Sequence, residues 1–166
     1  MSIEEYTSAL LPMINLCMIE RERNPSSYVK TQLWHLYEQA FYGFIEFVDW
    51  DSHCRVSSKA LAHYRHTYPD GHLKKRKWFE QKEFNLGGRH SAYLLEHVYT
   101  GEMFRNAIDS LGEHHRTVEH IVRLVQTEYC VAWILRQENG RLPRSRRGKT
   151  LQDALDVYRK VGIELL

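Results

Sequence analysis

The chain has little of what marks several protein classes. Its three cysteines, Cys17, Cys54 and Cys130, are odd in number and far apart, which fits neither a disulfide framework nor a zinc knuckle and points to a reducing cytoplasm. With only four prolines and nine glycines, the composition argues against extensive disorder. No apolar run approaches the roughly 18 residues of a membrane span. The N-terminal stretch "MSIEEYTSALLPMINLCMIERERN" opens with two acids where a secretory leader carries basic residues, so neither secretion nor a transmembrane helix is expected. Also missing are the phosphate-cradling Gly-x-x-x-x-Gly-Lys, the dinucleotide Gly-x-Gly-x-x-Gly, the nucleophile elbow Gly-x-Ser-x-Gly and Cys-x-x-Cys. P-loop hydrolysis, hydride transfer and serine-esterase chemistry thereby lose support.

What is present suits a folded domain. At 166 residues the chain can bury one substantial core but is short for two, so a single domain over 1–166 is expected. The formal charge of +2 is too small to imply a nucleic-acid partner by itself; its distribution says more. Acids collect early, at Glu4, Glu5, Glu20, Glu22, Glu38 and Glu46, whereas cations crowd "HLKKRKW" at 72–78 and "RLPRSRRGK" at 141–149.

Periodicity predicts a helix over 2–22, with Ile3, Tyr6, Leu10, Met13, Ile14, Cys17 and Met18 on one face, a Ser2/Glu5 capping box, and Pro12 as a kink or break. A second helix, capped by Ser26 or Ser27, runs to about Val48 and carries Leu33, Trp34, Tyr37, Phe41, Phe44, Ile45 and Val48. Residues 49–55 read as a loop, a third helix starts at Ser57 or Ser58 and stops before Pro69, and "YPDG" at 68–71 reads as a turn. "HSAYLLEHVY", 90–99, is compatible with a strand. Helices follow over about 100–111 and 116–127, and "YCVAWILRQ", 129–137, is the strongest strand signal. A closing helix begins at Thr150. The pattern is a helix-dominated α+β domain with a small β-sheet, helical over 1–68 and strand–helix–helix–strand–helix over 90–166.

Chemistry centres first on Glu96-His97, an acid and an imidazole at a strand end. "EHVYT" resembles the Asp-His-Ile/Val-x-Pro signature of HNH-type nucleases, with Thr100 in the place of proline. That resemblance implies Glu96 as a ligand of Mg²⁺ or Mn²⁺, His97 as the general base that activates water, and a completing Asn106, His115 or His120. Pro69-Asp70 with Glu80-Gln81-Lys82 superficially resembles the Pro-Asp … (Asp/Glu)-x-Lys pattern of another nuclease superfamily, although Pro69-Asp70 is also good turn chemistry. His63 and His66 at i, i+3 could face one ion, but a metal needs a third ligand. Glu138, read at the end of the strong strand, could join Glu96 at one sheet edge if the strand ends coincide, with Arg141, Arg144 and Arg147 flanking a phosphate.

The basic segments suit phosphate contacts through Lys74, Lys75, Arg76 and Lys77, and through Arg141, Arg144, Arg146, Arg147 and Lys149; an adjacent aromatic such as Trp78 could stack on a base. Arg89 and His90 could extend that patch. The expectation is a cytoplasmic nucleic-acid-binding or nucleic-acid-processing protein, DNA or RNA, possessing the makings of a small metal-dependent nuclease in a defence or mobile-element setting. The alternative is a non-enzymatic interaction module, of the inhibitor or immunity type, with a basic docking surface for a protein partner. No membrane partner is expected.

Overall fold

The computed structural model describes residues 1–23, 26–77, 91–143 and 148–166. The chain runs α1 (Ile3–Glu22), α2 (Ser27–Gly43), α3 (Trp50–His53), β1 (Cys54–Val56), α4 (Ser58–Thr67), β2 (Tyr93–His97), α5 (Gly101–Ser110), α6 (Val118–Glu128), β3 (Val131–Leu135), α7 (Arg136–Asn139) and α8 (Leu151–Lys160), with 3-10 turns at Phe44–Glu46, Leu73–Lys75 and Glu113–His115. This is the helix-dominated α+β architecture with a small sheet. The described residues form two compact units, Met1–Val48 with Gly101–Glu128, and Asp49–Thr100 with Tyr129–Leu166. Grouping in space therefore does not follow grouping along the chain. Among the described residues no helix is long and apolar enough to cross a membrane.

Unit 1 is helical. The first helix starts where the sequence places it: Glu5 N–H donates to Ser2 Oγ at 3.2 Å while Ser2 N–H donates to the Glu5 carboxylate at 2.7 Å, a reciprocal capping box. The expected break at Pro12 does not occur, since α1 is continuous through it. Pro12 and Ser8, whose carbonyl loses its usual donor, both face solvent, where water can satisfy that oxygen. The Ser26 side chain accepts from Val29 N–H to start α2. Burial then selects the aromatic face of α2. Phe41 and Phe44 are buried with Phe104 of α5, ring centroids 4.9 and 5.8 Å from it. The hydrophobic stripe of α6 buries Ile121, Val122 and Val125.

Unit 2 holds the sheet, ordered β1-β3-β2, with β1 parallel and β2 antiparallel to β3. The central strand β3 is buried at all five positions, as expected of a strand covered on both faces. It is shorter than expected from the sequence: residues 136–139 turn into α7. The loop expected over 49–55 is instead the single turn α3 followed by β1. A strand of three residues is too short to show alternation; it exists because it pairs Cys54, Arg55 and Val56 with Val131, Ala132 and Trp133. Its outer edge is partly closed by the last residues of the chain, Val56 and Leu166 exchanging main-chain hydrogen bonds at 2.9 and 3.4 Å. That pairing blunts an otherwise open edge.

Candidate nucleic-acid interface

Glu96 and His97 lie in β2, opposite Ala132 and Val131. Successive strand side chains leave opposite faces of a sheet, so regular pleating separates this acid from this imidazole instead of converging them on one ion. His97 Nε2 sits 3.1 Å from the hydroxyl of Tyr129, the rings edge to face at 90°. Of the residues proposed to complete an HNH-like site, Asn106, His115 and His120 all belong to unit 1. His120 Nδ1 lies 3.1 Å from Thr117 Oγ1 and its ring meets that of His115 edge on. His63 Nδ1 lies 2.7 Å from the Tyr93 hydroxyl. Among the described residues no three His, Cys, Asp or Glu side chains gather where a metal could be held.

The strand ends do not bring Glu96 and Glu138 together. Because β2 is antiparallel to β3, Glu96 lies beside Ala132, and three extended steps of about 3.3 Å separate that position from Leu135 before α7 even begins. Glu138 is not a strand-end acid in solvent: it sits in α7 and is 1% exposed. Its Oε2 accepts from the Ser57 hydroxyl at 2.5 Å and from the Leu135 N–H at 2.9 Å, and Oε1 faces Arg141 at 3.6 Å. The hydroxyl and the amide thus bond one oxygen of this buried carboxylate, while the other, without a hydrogen-bond partner among the described residues, is met by the guanidinium as an ion pair. Ser57, one of the two residues expected to cap the third helix, does so, its Oγ accepting from Ala60 N–H; its bond to Glu138 was not foreseen from the sequence.

The first basic segment is a built element. Leu73 is fully buried beneath the turn, and two indoles hold its backbone, Trp50 Nε1 donating to the Lys74 carbonyl at 2.6 Å and Trp133 Nε1 to the Arg76 carbonyl at 3.1 Å. Arg76 Nε donates to the Tyr64 hydroxyl of α4 at 2.9 Å, and the Lys77 ammonium lies 5.0 Å from the centre of the Trp50 ring, within cation–π range. With the backbone pinned from below, Lys75 stands exposed and Lys74 and Lys77 half-buried. The segment packs against α4, a helix with Lys59, Arg65 and His66 exposed and no acid at all. Over 58–77 the only acid is Asp70, against Lys59, Arg65, Lys74, Lys75, Arg76 and Lys77. Sequence reading saw the second half of this patch and not the first; the absence of acids from α4 was the available signal.

The second segment divides. Arg141 is committed to structure, donating to the Val161 carbonyl at 3.0 Å beside its contact with Glu138. Lys149 is exposed, and its N–H donates to Asp153, which with Thr150 forms the capping box of α8. Arg144, Arg146 and Arg147 lie outside the described residues, as do Trp78, Glu80, Gln81, Lys82, Arg89 and His90. No family model, curated protein or solved structure matches this chain.

Proposed function

We propose that unit 2 binds the phosphate backbone of a nucleic acid in the cytoplasm through α4 and the Leu73–Lys77 segment. The observation that carries the reading is the charge imbalance: six cations and one acid over twenty successive residues, on two elements packed together, in a chain whose whole formal charge is only +2. Cations fixed on a rigid backbone lose less freedom on meeting phosphate than cations on a free loop. Three unpaired cysteines, Cys17, Cys54 and Cys130, suit a reducing compartment. Backbone contact through lysines implies little sequence preference. Metal-dependent cleavage through Glu96 and His97 is read out in the same experiment.

That experiment is fluorescence anisotropy with labelled single- and double-stranded DNA and RNA, across a salt series, with EDTA, Mg²⁺ or Mn²⁺. Binding is expected to weaken linearly in log[salt] and to be insensitive to EDTA. The charge-reversed pair Lys74→Glu/Lys75→Glu is expected to flatten the slope by about 1 for each phosphate that is no longer neutralised. No association with any of the four nucleic acids at low salt would end this reading.

A second reading, a non-enzymatic protein-binding module, is favoured by the apolar side chains that α1 and α2 leave in solvent, among them Leu16 at 48%, Tyr28 at 72% and Leu36 at 55% exposure. It predicts no nucleic-acid association in the assay above.

A further inference from the structure

A cleft of about 190 Å³ opens in unit 1 between three helices. The wall from α1 is Cys17 and Met18, and that from α2 is Leu33, Trp34 and Tyr37 with Lys30 at its N-terminal end. The third wall is Arg105 of α5, whose guanidinium lies 4.3 Å from the centre of the Trp34 ring. Trp34 and Tyr37 are stacked at 5.9 Å with 16° between their planes.

We infer that this cleft binds a small monocyclic aromatic carboxylate. Three observations converge on that class. First, the lining contains two cations and no acid; Asp109, one turn beyond Arg105, is not part of it. Second, Arg105 Nε is buried and has no hydrogen-bond partner among the described residues. A buried N–H of a permanent cation is stabilised by an anionic acceptor, and the planar guanidinium fork matches the two oxygens of a carboxylate. Third, the remaining walls are aromatic rings, a thioether and an isobutyl group, which favour a flat apolar body and offer phosphate few further donors.

Size sets the limit. A dry cavity of about 150 Å³ holds benzene, so this one accommodates a single ring with its acid group and not a nucleotide. Cys17 belongs to the wall and is not a nucleophile. Its thiol donates to the Leu33 carbonyl at 3.6 Å and burial pushes its pKa up, which keeps it in the unreactive protonated form.

The test titrates the full chain with sodium benzoate, benzamide, cyclohexanecarboxylate and acetate, following tryptophan fluorescence and amide chemical shifts. Saturable benzoate binding is expected, with shifts centred on Lys30, Trp34 and Arg105. Loss of the charge in benzamide, or of the ring in acetate, is expected to weaken binding by about tenfold or more. Arg105→Met is expected to abolish the preference for benzoate over benzamide. Should that variant lose its fold, Lys30→Met replaces an exposed side chain and is expected to weaken benzoate alone. The inference is overturned if benzoate and benzamide bind equally, if acetate binds as well as benzoate, or if the shifts fall outside the cleft.

Discussion

Ser57 and Glu138 are joined by a 2.5 Å hydrogen bond across 81 residues of chain, both of them buried, and each side chain also caps a helix start. Ser57→Ala removes the cap of α4 and one donor to a buried carboxylate at once, and is expected to cost about 1–3 kcal/mol. Glu138→Ala strips the acceptor from Ser57 and from the Leu135 N–H and the counter-ion from Arg141, and is expected to cost about 3–5 kcal/mol. Urea denaturation checks both values. The double variant should cost clearly less than the sum, because each single change already breaks the shared bond. Purely additive costs would show that the bond contributes nothing.

Trp50 tests whether the basic turn depends on its backbone being held. Trp50→Phe keeps a buried ring but deletes the indole N–H that the Lys74 carbonyl accepts, leaving that oxygen to find water. The expected cost is about 1–2 kcal/mol in stability, together with weaker nucleic-acid binding at unchanged charge. If affinity is retained while stability falls, the cations act independently of the turn beneath them.

Local chemistry was legible in the sequence and long-range chemistry was not. The side chains of Ser2, Ser26, Ser57 and Thr150 cap helices because each accepts from an amide three residues ahead, a relation contained in a few residues of sequence. The core face of α2 and the buried strand β3 were likewise visible as apolar patterns. In contrast, β1 exists only through its partner β3, and Glu138, written next to Asn139-Gly140, looks like a solvated acid before a turn. Its burial is decided by Ser57, far away in the chain. The cations at 74–77 could be counted from the sequence, but their support by Trp50 and Trp133 comes from elements 24 and 57 residues away.

The cysteines give a prediction in pH. Burial, reinforced by the neighbouring Cys130, raises the pKa of Cys54 from 9.0 to about 12, and burial raises that of Cys130 to about 11. Both thiols therefore stay protonated at neutral pH and should react with an aromatic disulfide reagent only as the protein opens, whereas all three cysteines react at once in denaturant. A folded-state pKa above the unfolded one stabilises the fold fully below pH 9, and that contribution is lost as pH rises from the unfolded value through the folded one. Stability measured between pH 8 and 12 is expected to fall more steeply in the native chain than in Cys54→Ala. Rapid labelling of Cys54 or Cys130 in the native protein at pH 8 would contradict their buried placement.

His97 decides between a structural histidine and a catalytic one. Its ring meets the hydroxyl of Tyr129, a side chain 1% exposed, so His97→Ala leaves a buried phenol short of a neighbour and is expected to cost about 1–2 kcal/mol. Tyr129→Phe removes the same contact from the other side, and the double variant should show positive coupling of about 0.5 kcal/mol or more. Nucleic-acid affinity and its salt slope are expected to stay at wild-type values in both, because neither residue lies on α4 or the 72–77 segment. A general base behaves differently, its loss removing cleavage while stability hardly moves. Mg²⁺- or Mn²⁺-dependent cleavage that disappears in His97→Ala and persists in Tyr129→Phe would therefore make Glu96-His97 an active site despite the alternation of the strand.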